Sequence, residues 1–417
     1  MARMSIRTFL LQAKRHLHRT LHHKTPASFV IGNESADLDS ITCALLYSYI
    51  HSSTLENRRA NTFIIPVANI PAKDLPLRPE LTALLKHVDV QPEELVTLDD
   101  LGEMPMGLER TEWVLVDCNR MVGVLGEWYS GAVAGCIDHH DDEKAVPSTA
   151  SPRIIEKTGS CNSLVVNHLR PAWDDLASFS TSIGASNGSR DVGFLDDTAY
   201  ASTWDAQVAK LSLASILIDT YNMRDASKVT DADRKAVRYL EARINISPKL
   251  GKTYDRGKFF AELSEAKSDL GGLDLDGVLR KDYKAWSENG IRVGISSAVK
   301  PLGDLKTKAS SDGFAGALAR FAKERHLHLY VLMTAYTAEA SGQSERECLV
   351  LALHDGQAEE AARRFAGECR EELELEEKAF DCGHVGEEVK GLWVWDQRNV
   401  KASRKRVGPL VRGCLRQ

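Results

Sequence analysis

Short apolar runs alternate with amphipathic stretches through the first half of the chain, between residues 28 and 236. The apolar runs SFVIG, EWVLVD, VAGCID and RIIEK have the length and composition of buried strands. Apolar residues at spacings of three and four between these runs predict helices over 40–50, 160–169 and 205–218. The stretch 177–197, rich in Ser, Gly and Asn, predicts an irregular surface insertion. This alternation favours a mainly parallel sheet flanked by helices.

A second domain follows a change of composition near residues 247–256, where proline, glycine and several lysines interrupt the periodicity. Beyond it, helical patterns cover 258–267 and 357–378, and the runs IRVGISS, LHLYVLM, CLVLAL and GLWVWD predict strands. The length of 417 residues also favours two domains. We therefore predict an α/β protein with an N-terminal domain over 1–240, a linker over 241–256 and a smaller C-terminal α/β domain over 257–417.

The N-terminal segment carries basic residues and no acidic residue before Glu34, a composition that overlaps that of a mitochondrial transit peptide. The interpretation we favour is an amphipathic helix that packs on the N-terminal domain. Its apolar face would consist of Phe9, Leu10, Ala13 and Leu17. We expect a cytoplasmic protein, with the mitochondrion as the alternative.

Composition narrows the class of protein further. No apolar run approaches the length that spans a bilayer, so no membrane partner is expected. The net charge of -6 does not indicate the basic surface that a protein binding duplex nucleic acid requires. The 8 cysteines show no CxxC pair and no regular spacing, which disfavours disulfides and structural zinc and favours a reducing compartment.

Acidic residues stand at the ends of four apolar elements. They are Asp37 and Asp39 in GNESADLDS, Asp117 in EWVLVDCNR, Asp138 with His139 and His140 in VAGCIDHHDDE, and Asp219 in LSLASILIDTYNM. Two carboxylates one residue apart could also be helix caps. Because the carboxyl ends of parallel strands meet at one edge of the sheet, where such folds bind ligands, we expect the acidic groups to cluster there. Their mutual repulsion would require divalent cations.

Carboxylates with one or two imidazoles are ligands for Mg²⁺, Mn²⁺ or Co²⁺, whereas the cysteine spacing disfavours zinc. Pairs of such ions generate a hydroxide nucleophile and hold the attacked phosphoryl group. The residues therefore indicate hydrolysis of a phosphoester or a phosphoanhydride.

The motifs GNESADLDS, VDCN, DHH and ILIDTYN resemble, in order, those of the DHH phosphoesterase superfamily. The second half resembles the second type of DHH-associated domain in AKSDLGGLDLDGVLRKDYKAW, VGISS and ASRKRVGP. Pyrophosphatases of the manganese type carry histidine where this chain has Asn33 and Cys118, so the chain is more similar to the exopolyphosphatase and prune branch. The alternatives are a manganese-type inorganic pyrophosphatase and a prune-like interaction protein with secondary phosphohydrolase activity.

The resemblance implies an exopolyphosphatase that releases orthophosphate from inorganic polyphosphate with two divalent ions. We expect a monomer rather than an oligomer. The resemblance also implies that Asp117 bridges the ions, that Asp37 holds one, and that Asp39, His139 and Asp219 hold the other. Asp138 would orient a histidine, and the catalytic groups would be Asp117, His140, Arg404 and Lys405. Substrate would contact Asn33, His140, Lys267, Ser403, Arg404 and Lys405. Asn33 in place of an imidazole implies tolerance of magnesium. Because metals and cations fall on separate domains, the second domain is expected to close over an active-site cleft.

Overall fold

The computed structural model describes residues 4–60, 62–102, 106–186, 192–309, 313–338, 341–353 and 356–416. The chain divides into two compact units, Met1–Lys267 and Ser268–Gln417. None of the helices in this described part has both the length and the apolar character needed to cross a bilayer.

Within the described residues, the first unit is built on a five-stranded parallel sheet. Its strands are β1 (Ala27–Ile31), β2 (Ile64–Val67), β3 (Thr111–Val116), β4 (Val133–Asp138) and β5 (Arg153–Ile155). They lie in the order β2-β1-β3-β4-β5. The predicted runs supply every strand of this sheet except β2, whose four residues include Pro66, a residue that argues against a strand. The predicted fold class is confirmed.

Helices surround this sheet. They are α1 (Ile6–His23), α2 (Leu38–Ser53), α3 (Leu55–Ala60), α4 (Pro79–Lys86), α5 (Leu98–Leu101), α6 (Gly123–Tyr129), α7 (Cys161–Ser186), α8 (Val192–Asp219), α9 (Asp231–Ile246) and α10 (Arg256–Ser268). Short 3-10 helices lie in the connections, at Ala72–Leu77, Pro92–Glu94, Leu108–Arg110 and Ser130–Ala132.

Strand side chains alternate between two apolar cores, as the pleat requires. Val30 and Val114 belong to the core that contains residues of α2, α7 and α8. Phe29 and Trp113 stack at 4.5 Å between ring centroids in the other core. The four apolar residues that predicted α1 are all buried, which confirms the amphipathic helix.

The predicted insertion at 177–197 needs correction. Helix α7 continues to Ser186 and α8 begins at Val192, while residues 187–191 lie outside the described part. Serine and asparagine differ from good helix formers by less than about 1 kcal/mol per residue, so they do not by themselves end a helix.

The division between the units falls after the predicted linker, because α9 and α10 belong to the first unit. Ile244, Phe259 and Leu263 on these helices are buried in its core. The predicted helix over 258–267 is confirmed as part of α10.

In the described part of the second unit, a six-stranded mixed sheet lies between two apolar cores. The strands of this unit are β6 (Tyr283–Glu288), β7 (Ile291–Ala298), β8 (Leu329–Thr334), β9 (Tyr336–Thr337), β10 (Ser344–Glu345), β11 (Glu347–Ala352), β12 (Leu375–Glu377) and β13 (Gly391–Gln397). The large sheet has the order β12-β13-β11-β8-β7-β6, with β7 and β8 parallel and the other neighbours antiparallel. The helices are α11 (Leu275–Lys281), α12 (Leu302–Thr307), α13 (Gly313–Glu324), α14 (Gln357–Glu368), α15 (Arg370–Leu373) and α16 (Arg404–Arg416).

The predicted helix over 357–378 is too long. Helix α14 ends at Glu368, and the segment continues as α15 and β12. Leu373 and Leu375 alternate with glutamates, which is a strand period, and both leucines are buried. The helical interpretation missed this change of period.

Replacing Phe9 with Ala should lower the free energy of unfolding of the first unit by about 3–5 kcal/mol. Phe9 is 1% exposed and stacks on Phe63. Leu11→Ala on the same helix removes a side chain that is 38% exposed and should change stability by less than about 0.5 kcal/mol. Chemical denaturation followed by circular dichroism measures both variants, and equal effects would contradict a packed α1.

Candidate metal centre

Asp117 follows β3 at the carboxyl edge of the parallel sheet and is 2% exposed. Its φ of 57° is left-handed, which costs a residue with a side chain roughly 1–2 kcal/mol. Its Oδ2 atom accepts hydrogen bonds from Ser40 Oγ at 2.7 Å and from Asn33 Nδ2 at 2.8 Å. The backbone at Gly32 approaches Ser40 closely, since a Cβ atom there would lie 2.5 Å from Ser40 Cβ. These contacts hold one oxygen of Asp117 in place.

Two imidazoles approach the other oxygen of Asp117. His139 Nε2 lies 3.2 Å and His140 Nδ1 lies 3.7 Å from Asp117 Oδ1. Ligand atoms of these three residues all lie within 4.8 Å of one another. His139 Nδ1 donates to the Thr158 carbonyl oxygen at 3.1 Å, so its Nε2 lone pair faces the carboxylate. Such a contact is repulsive unless a proton or a cation lies between the two atoms.

Asp138 is fully buried and forms hydrogen bonds with the His140 imidazole and with the His139 backbone. Its Oδ1 atom accepts from His140 Nδ1 and from the backbone N–H of His139, each at 2.8 Å, and Oδ2 accepts from Asn119 Nδ2 at 2.6 Å. Burial acts to raise the pKa of Asp138, but the hydrogen bonds and charge of His140 outweigh it and hold the pKa below its usual value. An ionised Asp138 occupies His140 Nδ1 and leaves Nε2 for other contacts.

Asp39 lies against the first turn of α7. Its oxygens accept from Ser160 Oγ at 2.7 Å and from the backbone N–H groups of Cys161 at 2.7 Å and Asn162 at 3.1 Å. Burial, followed by the charge of Asp117, raises the pKa of Asp39. The start of α7 therefore fixes this carboxylate but does not fully offset its cost.

Asp219 ends α8 and is partly exposed, but its Oδ2 atom is buried and has no hydrogen-bond partner among the described residues. Burial of the carboxyl group and the charge of Asp39 raise the pKa of Asp219 well above its usual value, and the charge of Lys267 acts in the opposite direction. Asp37 adds a further negative charge that raises the pKa of both Asp39 and Asp219. Asp37 also caps α2 by accepting from Ser40 N at 3.0 Å, so the helix-cap interpretation holds for it as well.

Asn33 turns its amide nitrogen to the cluster. Its Nδ2 atom donates to the Asp117 side chain and backbone carbonyl, while its Oδ1 atom accepts from Ser35 N at 2.9 Å. In this arrangement Asn33 orients Asp117 and does not offer its oxygen to a metal ion.

The predicted phosphate-binding residues of the second unit lie at the start of α16. Arg404 Nη1 forms an ion pair with Asp282 Oδ1 at 2.7 Å and donates to the Asp282 carbonyl oxygen at 2.9 Å. Ser403 directly precedes the helix, and Lys405 is exposed.

The sequence model described as DHH family, N-terminal domain, matches residues 28–182, and that of the DHHA2 domain matches residues 261–414. A Schizosaccharomyces pombe protein named "Putative exopolyphosphatase" is 32% identical over 416 residues, which cover 100% of this chain and 96% of that protein. The chain belongs to the DHH family. Family membership makes it a metal-dependent hydrolase, as the motifs predict.

More distant relatives share most of the length of this DHH protein. Exopolyphosphatase PRUNE1 of Mus musculus is 27% identical over 95% of the chain and 77% of its own length. A manganese-dependent inorganic pyrophosphatase of Methanothrix thermoacetophila is 22% identical over 75% of the chain and 83% of its own. The crystal structure of a Methanococcus jannaschii "putative family II inorganic pyrophosphatase" has the same fold, with a TM-score of 0.55 and 19% identity over 94% of this chain and all of that one.

The side chains at this site fit divalent metal ions. Carboxylate oxygens come from Asp37, Asp39, Asp117 and Asp219, and His139 adds an imidazole nitrogen, Nε2, that faces Asp117. Two contacts lack full compensation: His139 Nε2 faces Asp117, which is repulsive unless a proton or a cation lies between them, and Asp219 Oδ2 has no hydrogen-bond partner among the described residues. Cations would satisfy both. All 8 cysteines are free thiols, as expected, and none belongs to the cluster of Asp117, His139 and His140.

Asp233 supports this centre and was not predicted from the sequence. It is fully buried in the first turn of α9, where it accepts from Gly159 N at 3.0 Å, Ser160 N at 3.3 Å and Ser163 Oγ at 2.6 Å. The loop that it holds also provides hydrogen bonds to Asp39, through Ser160 and the start of α7. In the sequence, the capping box formed by Thr230 and Asp233 indicates the start of α9. It gives no information about the contact of Asp233 with the loop at residues 159–160.

Replacing Asp233 with Ala should weaken the binding of Mg²⁺ or Mn²⁺ by roughly 10–100-fold, the range expected when a group behind metal ligands is lost. Asp233→Asn, which keeps one acceptor oxygen, should show a smaller loss. Isothermal titration calorimetry measures the affinity, and thermal melting checks that each variant is folded. Asp231→Ala on the exposed side of the same turn is the matched control. Folded Asp233 variants with wild-type affinity would contradict the supporting role.

Proposed function

We propose that this chain is an exopolyphosphatase that hydrolyses the terminal phosphoanhydride bond of inorganic polyphosphate and releases orthophosphate. The observation that carries the proposal is the cluster of Asp117, His139 and His140 at the carboxyl edge of the sheet, beside Asp39 and Asp219. The relative named as an exopolyphosphatase, which matches the whole chain, supports polyphosphate as the substrate.

Two divalent ions, Mg²⁺ or Mn²⁺ with Co²⁺ as an alternative, would be held by Asp37, Asp39, Asp117, His139 and Asp219. Bound ions of this kind activate water and offset the negative charge of phosphoryl oxygens. The chain orients the ligands for them: Ser40 and Asn33 hold Asp117, and the first turn of α7 holds Asp39.

His140 is the proposed proton donor. Asp138 occupies its Nδ1 atom at 2.8 Å, so Nε2 is the atom available to a leaving phosphate. Ser403, Arg404 and Lys405 are proposed as phosphate ligands contributed by the second unit, and Lys267 as one from the first. The Arg404 guanidinium can contact two phosphate oxygens at once, and the Lys405 ammonium adds a compact positive charge, so together they suit a polyanion.

Inorganic pyrophosphatase is the second candidate, because a manganese-dependent pyrophosphatase matches 75% of the chain. The position of Asn33 counts against it. Pyrophosphatases of that type resemble this chain but carry histidine there, whereas the Asn33 amide donates to Asp117 and offers no imidazole lone pair.

Phosphate release from long-chain polyphosphate, tripolyphosphate and pyrophosphate, each with Mg²⁺, Mn²⁺ or Co²⁺, tests the function. We expect release from the polyphosphates to exceed release from pyrophosphate, and chelation of the metal to abolish it. If pyrophosphate is the best substrate, the result favours an inorganic pyrophosphatase and contradicts the proposed exopolyphosphatase.

Replacing Asp117 with Ala should reduce phosphate release by more than about 100-fold. Loss of a residue that only supports a metal ligand costs at most roughly that factor. The loss is larger here because the side chain proposed to contact both ions is removed. Asp175→Ala removes an exposed carboxylate on α7 and serves as the control with wild-type turnover. Circular dichroism should show an intact fold in both variants, and an active Asp117→Ala protein would exclude the bridging role.

A further inference from the structure

Three consecutive acidic residues follow the DHH triplet, and each forms an ion pair with a different basic residue of the first unit. Lys157 Nζ lies 2.6 Å from Asp141 Oδ1, Arg153 Nη2 lies 2.7 Å from Asp142 Oδ2, and Arg120 Nε lies 3.4 Å from Glu143 Oε2. We call these three pairs the paired row. Its charges cancel, so the acidic stretch adds no net repulsion for a polyanion.

Backbone hydrogen bonds hold the paired row beside the metal centre. Glu156 N donates to the Asp138 carbonyl oxygen at 3.0 Å, and the Thr158 carbonyl oxygen accepts from His139 Nδ1. Lys157 therefore lies between Glu156 and Thr158, which both form hydrogen bonds with residues of the triplet. The acidic members are tied to the same place, because the buried Asn119 side chain contacts Asp138, the Asp141 carbonyl oxygen and the backbone N–H of Glu143.

The ion pairs of the row are exposed enough to exchange partners. The exposed fractions of the basic and acidic side chains are 67% and 86% for Lys157 and Asp141, 53% and 41% for Arg120 and Glu143, and 32% and 35% for Arg153 and Asp142. Pairs at such exposure contribute little to stability, so a new partner displaces the old one readily. A phosphate group is a strong alternative partner, because it offers several charged oxygens to one Lys or Arg.

We propose that Lys157, Arg153 and Arg120 form a secondary binding row for the inner phosphates of a polyphosphate chain, and that they leave their acidic partners when the chain binds. This inference rests on the proposed exopolyphosphatase function and extends it to the recognition of chain length. The terminal phosphate reacts at the metal centre, and phosphates farther along the chain contact the row. A short substrate reaches fewer of these cations than a long one.

Steady-state phosphate release by the full metal-loaded chain, from long-chain polyphosphate and from tripolyphosphate, tests the proposal. Lys157→Gln should raise KM for the long chain about three- to tenfold, because one cation–phosphate contact is lost. Asp141→Asn should lower that KM by a similar factor, because the competing partner is removed. Lys157→Arg should keep the wild-type KM, and Arg153→Gln should repeat the increase at a second position.

The KM for tripolyphosphate should change by less than about twofold in the same variants. Arg7→Gln is the matched control, because Arg7 on α1 forms an ion pair with Glu94 at 2.7 Å. Both KM values should stay unchanged in this variant. If Lys157→Gln and Asp141→Asn both raise KM, or if the long-chain KM does not move, the pairs only stabilise their loop and the row is overturned. Wild-type protein that releases no phosphate from any polyphosphate overturns the proposed function, and the row with it.

Discussion

Repulsion among carboxylates is the interaction on which the candidate metal centre depends. Asp39, Asp117 and Asp219 come from three different elements, and burial together with their mutual charges raises the pKa of Asp39 and Asp219. The protein offsets part of this cost with hydrogen-bond donors: the first turn of α7 for Asp39, and Ser40 and Asn33 for Asp117. Asp219 Oδ2 lacks such a donor among the described residues. The offset is incomplete, and bound divalent cations would supply the remainder.

The supporting groups act on more than one of the proposed metal ligands. The loop before α7 accepts the His139 Nδ1–H through Thr158 and donates to Asp39 through Ser160, so one backbone segment sets both an imidazole tautomer and a carboxylate orientation. Asp233 anchors that segment from α9. At Gly159 a Cβ atom would lie 2.6 Å from Thr220 Cγ2, so the segment can approach its neighbours this closely only without a side chain there. The left-handed backbone of Asp117 is retained because Ser40 and Asn33 fix its side chain.

The parts of the centre that follow from topology could be predicted from the sequence. Parallel strands place their carboxyl ends together, so aspartates at those ends had to meet, and Asp117 does meet the triplet after β4. Contacts between distant segments could not be predicted, because no periodicity links Asp233 to the loop at residue 159 or tells which end of the Asn33 amide faces Asp117. Strand β2 was missed because Pro66 argues against a strand. Strand β12 was missed because its alternation of apolar and acidic residues is short and directly follows a helix.

Chain-length recognition must lie outside the metal centre. Pyrophosphate and polyphosphate present the same terminal phosphoanhydride to the ligands, so groups that contact only that bond cannot distinguish them strongly. Discrimination requires cations that a longer chain alone reaches, held where the entering chain meets them. Lys157, Arg153 and Arg120 are the cations proposed for this role, and their ion pairs with Asp141, Asp142 and Glu143 neutralise them in the protein alone. Under this proposal, a protein with a net charge of -6 binds a polyanion through local exchange of ion pairs, without a permanently basic surface.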